Sequence, residues 1–389
     1  MVRLVSGNDF SVHLSKQTVQ GAINVTPAFD EFRRSEGKAR VNTTYVQSAE
    51  VKTNRQARSN VSDAVSYAAE LSHEMTEQSF NLFQDAIQGT EVVTSVTDTD
   101  ISSSATGFDD LAGDGFTGMA IGDYIFVSGF ADATLNRTYR ITTFATGSID
   151  TSPAPSVIEA AGATVTIETR KTTSASTIPY YTVQTRAVDT SKAGSIDYQT
   201  FVDGQFDSSS FEVGESGIVT GAFNMVAESL VDGTAIVSGQ TDNAKDTSEP
   251  LDAINGVVKF WVDGLDADPV CTVKSMGFEF SNNLQEDRAA GCTGAEYANG
   301  DITLSGSLSA RLRIDDTMIW RDRYIAGTKI ALALEIDHGA GKHTVIEVPQ
   351  AVITEHEIPD GSNVVANSNM SYTAEEDPRG TTMIIYKDW

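Results

Sequence analysis

The chain offers few residues in a pattern that could do chemistry. Its five histidines (His13, His73, His338, His343 and His356) are scattered, and none stands in a His-Glu-x-x-His or related ligand spacing. His73 sits among polar neighbours on a predicted strand and reads as a surface histidine. The two cysteines, Cys271 and Cys292, make no disulfide framework and match no metal spacing, so free thiols are expected. No Gly-x-Ser-x-Gly elbow occurs, and the glycine-rich stretch 113–122 lacks the lysine of a phosphate-binding loop. The run Asp263-Gly264-Leu265-Asp266-Ala267-Asp268 is faintly similar to a calcium loop. It lacks the glycine at position six and the glutamate at position twelve, so it reads as a solvated turn. Nothing selects two of the 54 acidic residues as an acid and a base. No catalytic site, metal or cofactor is expected.

The bulk properties narrow the function further. A chain of 389 residues exceeds what one core normally serves, and its 40% hydrophobic content suffices for real cores. The formal net charge is −27. That argues against tight phosphate binding, which depends on clustered Lys and Arg; solubility, or a surface that lies near DNA without holding it, both fit. No apolar run approaches a membrane span, and the first nine residues lack an apolar signal core, so a cytosolic product without membrane contact is expected. Five Asn-x-Ser/Thr sequons, at Asn24, Asn42, Asn60, Asn136 and Asn369, read as chance without an export signal.

The elements that would position any site are mostly strands. Alternation marks Val65–Leu71 and Ile302–Leu308 as strands with one buried face. Each leads into a short amphipathic helix that ends near a glycine. The first is expected from the Thr76 N-cap to Gly89, with Phe80, Leu82, Phe83, Ala86 and Ile87 on one side. The second is expected from Asp315 to Gly327. Flanking segments agree in order: Ala49–Gln56 with Phe278–Gln285, Glu212–Glu215 with Glu357–Asp360, and Asn224-Met225 with Asn369-Met370. This common order indicates an internal duplication.

The spacing of the copies differs along the chain. Gly89 and Gly327 lie 238 apart, whereas Met225 and Met370 lie 145 apart, so the first copy carries about 93 extra residues. Three strands are expected within that stretch, around 122–129, 136–142 and 163–168, which makes it a small all-β module inserted at a loop. The expected organisation is a discontinuous first domain (1–89 and 177–239), an outward-facing insert (90–176), a polar linker (240–255) and a second domain (256–389).

Four features now resemble the major tail tube proteins of long-tailed phages. They are the strand and helix over Val65–Gly89, the run Tyr180–Arg186, the run Phe211–Phe223, and the small insert carrying Gly122–Gly129. The resembling segments, Ser48–Gly89, Tyr180–Leu230 and Cys271–Trp389, cover just over half of the chain. The resemblance implies a mainly β fold akin to type VI secretion inner-tube proteins: two tandem β-sandwich or barrel domains, each with a short flanking helix. It implies a structural subunit, not an enzyme, that forms stacked rings around a lumen through which genomic DNA passes without specific binding. Tail terminator, tail tip and tape-measure proteins are the implied partners, and the virion tail, assembled in the host cytoplasm, is the implied location. Two domains per chain make a homotrimeric pseudo-hexamer the expected ring, with a hexamer of whole chains as the competing form. Acidic residues on wet strand faces are the lumen candidates: Glu50, Glu70, Glu212, Glu279 and Glu357. The segment Val2–Ile23 and the loops Ala57–Asp63 and Ala289–Gly300 are expected to reach the next ring. A secreted β adhesin is the alternative reading, and a polysaccharide hydrolase is a weaker one.

Overall fold

The computed structural model describes residues 10–23, 25–26, 28–47, 60–87, 91–113, 115–174, 179–189, 195–233, 236–266, 273–289, 295–311, 314–339, 341–358 and 367–389. Glu50, Cys271 and Cys292 lie outside them, as do parts of the three segments expected to reach the next ring. The fold is mainly β, with two α-helices among the described residues.

The first stretch contains β1 (Phe10–Lys16), β2 (Asp30–Glu31), β3 (Glu36–Gln47), β4 (Asn60–Glu74) and α1 (Glu77–Ile87). Next come β5 (Glu91–Asp98), β6 (Ile101–Ser103), β7 (Gly107–Asp110), β8 (Tyr124–Ser128), β9 (Thr138–Ala145), β10 (Ser148–Ser152) and β11 (Val165–Thr173). The chain then forms β12 (Tyr181–Asp189), β13 (Ser195–Val213), β14 (Thr220–Ala227) and β15 (Ser229–Gly233). The remainder holds β16 (Val257–Val262), β17 (Leu265–Asp266), β18 (Val273–Ser281), β19 (Gln285–Asp287), β20 (Glu296–Ala298) and β21 (Thr303–Arg311). It ends with α2 (Ile314–Ala326), β22 (Ile330–Asp337), β23 (His343–Glu357), β24 (Asn367–Ala374) and β25 (Ile384–Lys387).

Local chemistry explains both helices. At the start of α1 the Thr76 hydroxyl accepts from the Ser79 amide (3.3 Å) and the Ser79 hydroxyl accepts from the Thr76 amide (2.7 Å), a reciprocal cap. Phe80, Phe83, Ala86 and Ile87 form its buried face. Helix α2 ends at Gly327, whose φ of +60° lets the Thr328 amide reach the Arg323 carbonyl (3.0 Å).

Two long strands organise the sheets. The first half of β13 pairs with β12 and β15, and its second half with β14 and β18. In β23, residues 344–347 pair with β25 and residues 343–351 with β22, while residues 351–357 pair with β24. A bulge in β13 leaves residue 207 unmatched between Phe206 and Ser208, and one in β23 leaves residue 354 unmatched between Ile353 and Glu355. The two bulges lie 147 residues apart, where sequence matching takes 145. An eight-stranded run results, β3-β4-β14-β13-β18-β21-β24-β23. It stays open, so the barrel alternative is not met within one chain. One apolar core underlies it, drawing on both ends of the sequence from Val12 to Ile385.

Residues 101–167 form a separate core around Phe108, Phe116, Tyr139 and Ile167. This part does not hang free. Lys171, Thr172 and Thr173 of β11 pair with Tyr386, Ile385 and Ile384 of β25. Around that junction Glu347, itself fully buried, accepts from Arg379 Nη2 and Tyr386 Oη (both 3.1 Å) and lies 3.6 Å from Arg140. Asp123, also fully buried, accepts from Lys171 at 2.8 Å.

Two expectations need correction. His73 is buried, 1% exposed, because strand alternation puts it on the face of Ala69 and Leu71, while its polar neighbours Ser72 and Glu74 point the other way. It stacks on Phe223 (4.6 Å between centroids) and meets Phe32 edge-on. The N-terminal stretch is not an arm over residues 10–16: β1 pairs with β12 along its length and buries Val12 and Leu14. Arg186–Asp242, Lys245–Glu31 and Arg33–Asp246 ion pairs hold the polar stretch 240–250 against the first half.

Burial holds the His73 pKa down at about 4. The folded state therefore lacks a proton that the unfolded chain carries below about pH 6.5, and stability falls as pH drops from there to about 4. The full loss from this residue is about 3 kcal/mol. Urea titrations at pH 7 and pH 4.5 should show His73→Phe losing less stability on acidification than the parent chain.

Candidate functional surface

The eight-stranded run has one apolar face and one polar face. Residues directly opposite in antiparallel strands share a face, so the registers define the polar side. One row runs Glu74, Thr220, Glu212, Gly277, Ser307, Ser371, Glu355 across seven strands. The next runs Glu36, Ser72, Ala222, Ser210, Glu279, Ser305, Thr373. Lys38, Glu70, Asn224, Ser208 and Ser281 form a third, and Ser309, Asn369 and Glu357 a fourth.

Four of the five predicted residues, Glu70, Glu212, Glu279 and Glu357, thus lie on one surface. Sequence reading missed Glu36, Glu74 and Glu355 on the same face. The Glu355-x-Glu357 alternation was the available signal for the last. Seven glutamates stand there against Lys38, Arg40 and Arg311. Arg40 and Lys38 both approach Glu70, which leaves Glu36, Glu74, Glu212, Glu279, Glu355 and Glu357 as the acidic character of the face. The other side chains of these four rows are small: Ser, Thr, Asn, Ala and Gly.

Glu212 and Glu279 are exposed on an open sheet and separated by serines and glycine. Among the described residues no group of three or more His, Cys, Asp or Glu side chains is arranged to hold a metal ion. What the surface can do is repel a polyanion while offering little to grip. A smooth acidic sheet with two open ends is the geometry of a wall.

The profile of a family described as phage tail tube protein matches residues 7–374. The chain belongs to the phage tail tube protein family. No curated protein matches it. Tail tube proteins are structural components of the virion that assemble with copies of themselves. Among the described residues no helix is long and apolar enough to cross a membrane.

Proposed function

We propose that this chain is the repeating subunit of a phage tail tube, in which three copies close the eight-stranded sheet into a ring with its polar face toward the DNA channel. One observation carries the reading. The sheet ends on β3, paired only with β4, and on residues 352–357 of β23, paired only with β24, among the described residues. Open edges template pairing with another chain, and a ring removes them.

The halves support a tandem duplication. In each, a strand leads into a helix and lies between two others: β4 between β3 and β14, β21 between β18 and β24. The bulges of β13 and β23 recur at the same point. Three chains would therefore supply six equivalent units, and residues 90–176 would be an insertion in the first.

Size favours three. At about 4.8 Å per strand, three eight-stranded chains give a backbone ring about 37 Å across before tilt widens it. Side chains reduce that to a channel that admits duplex DNA. Six whole chains would double the width. The unpaired glutamates would face the phosphates, so DNA would slide with no counterion release to hold it. The insert, too large for such a channel, would face outward.

Native mass spectrometry of rings assembled from the purified chain tests this. Three 41.6 kDa chains per ring are expected. Six would overturn the trimer, and a monomer under every condition, with tail-tip proteins added, would overturn the tube.

A further inference from the structure

The pairing that joins the two halves within one chain has a definite register. Ser208 faces Ser281, Ser210 faces Glu279 and Glu212 faces Gly277. The bulges let this register be carried to the open edges. Ser208, Asn224, Glu70 and Lys38 lie in line in the first half; Glu355, Ser371, Ser307 and Gly277 lie in line in the second. Each residue of the first line thus corresponds to one of the second. Two residues further along, Ser210 corresponds to Glu357, and Glu279 to Arg40.

Resting on the tube reading above, we propose that a second copy of this chain docks its β3 antiparallel along β23, placing Glu357 of one copy opposite Arg40 of the next. Glu355 then faces Asn42, and His356 faces Val41.

Charge favours this register. The β23 edge brings Glu355 and Glu357, while the facing stretch of β3 brings Arg40, with Lys38 next along the same face; Glu36 lies further on. Arg40 already meets Glu70, and its guanidinium has donors for a second carboxylate. The internal junction, by contrast, sets uncharged Ser210 against Glu279. An ion pair at one junction and not at the other would distinguish joining a new chain from folding the same one.

The apolar side agrees. Helix α1 spans the internal junction: Phe83 packs on Phe278 of β18 (5.7 Å), and Asn282 Nδ2 donates to the Ala86 carbonyl (3.2 Å). Helix α2 flanks β23 with Tyr324 6.3 Å from His356, but its Tyr324 and Ile325 remain 40% and 73% exposed. On β3, Val41 and Tyr45 are 43% and 64% exposed on the core-facing side. Bringing β3 beside β23 places Val41 next to His356, under the α2 ring of Tyr324. Each exposed patch covers the other, as α1 covers β18 within the chain.

The test is a charge swap with a register readout. Glu357→Lys and Arg40→Glu should each raise the concentration needed for ring assembly by about tenfold, by setting like charges opposite at every junction. The double variant should assemble within about threefold of the parent. Arg40→Cys with Glu357→Cys should give a covalent ladder of chains on oxidation, and Arg40→Cys with Glu355→Cys should not. Single variants that assemble like the parent, a double variant that stays defective, or a ladder from the 40/355 pair would overturn this register while parent rings keep the tube reading intact. A parent chain that never forms rings would overturn both.

Discussion

Tubes built from a Glu212→Lys, Glu279→Lys chain should hold DNA that parent tubes release. Both side chains are exposed in the middle of the polar face, away from either open edge, so the change leaves folding and ring closure intact. With the proposed three chains per ring, each ring would gain six lysines. Proteins that make about 6–10 phosphate contacts lose affinity by about 10³–10⁵ between 50 and 200 mM salt. DNA retention by the variant should therefore be strong at low salt and collapse steeply as salt rises. Particles carrying it should adsorb to cells but deliver their genome slowly. Retention equal to the parent at 50 mM salt would mean that this face does not line the channel.

Arg379→Ala should destabilise the chain by about 3–5 kcal/mol, the cost of stranding a buried charge. Arg379 sits between the carboxylates of Glu347 and Asp377 and approaches Asp123 at 3.9 Å. Its removal leaves Glu347 with Tyr386 and the more distant Arg140. Burial already pushes the Glu347 carboxyl above the usual range, and the Arg379 and Arg140 guanidiniums pull the other way. The cluster also ties residues of β8, β9 and β11 to β23 and β25, beside a packed group of Tyr124, Trp261 and Tyr386. Urea unfolding followed by tryptophan fluorescence should show the loss, with the Trp261 environment among the first to change. A change under about 1 kcal/mol would mean that the β11–β25 pairing and the apolar contacts hold this junction without the ions.

Local signals were legible in the sequence because local chemistry writes them. Thr76 and Gly327 mark helix ends, and the alternation through Val65–Leu71 marks β4 with its wet and buried faces. The same alternation placed Glu70, Glu212, Glu279 and Glu357 on wet faces; only the strand registers brought those faces into one surface. Long-range features leave no such mark. The bulges at 207 and 354 lie 147 apart, and nothing in the composition of either strand marks them, so the short matches that gave 145 had no signal to correct them. The β11–β25 pairing joins segments over 200 residues apart, and nothing in Lys171 or Tyr386 announces it. Asp123 and Glu347 look like ordinary wet-face acids; their burial follows from tertiary packing alone. His73 misled for the related reason that its sequence neighbours are not its neighbours in space.

The most direct measurement of the central claim is a helical reconstruction of the assembled tube by electron cryomicroscopy. Three chains per ring are expected, with one continuous sheet around the channel, β23 of each chain against β3 of the next, and Glu212 and Glu279 pointing inward. A ring whose chains meet through other surfaces, or whose polar sheet face points away from the channel, would contradict it.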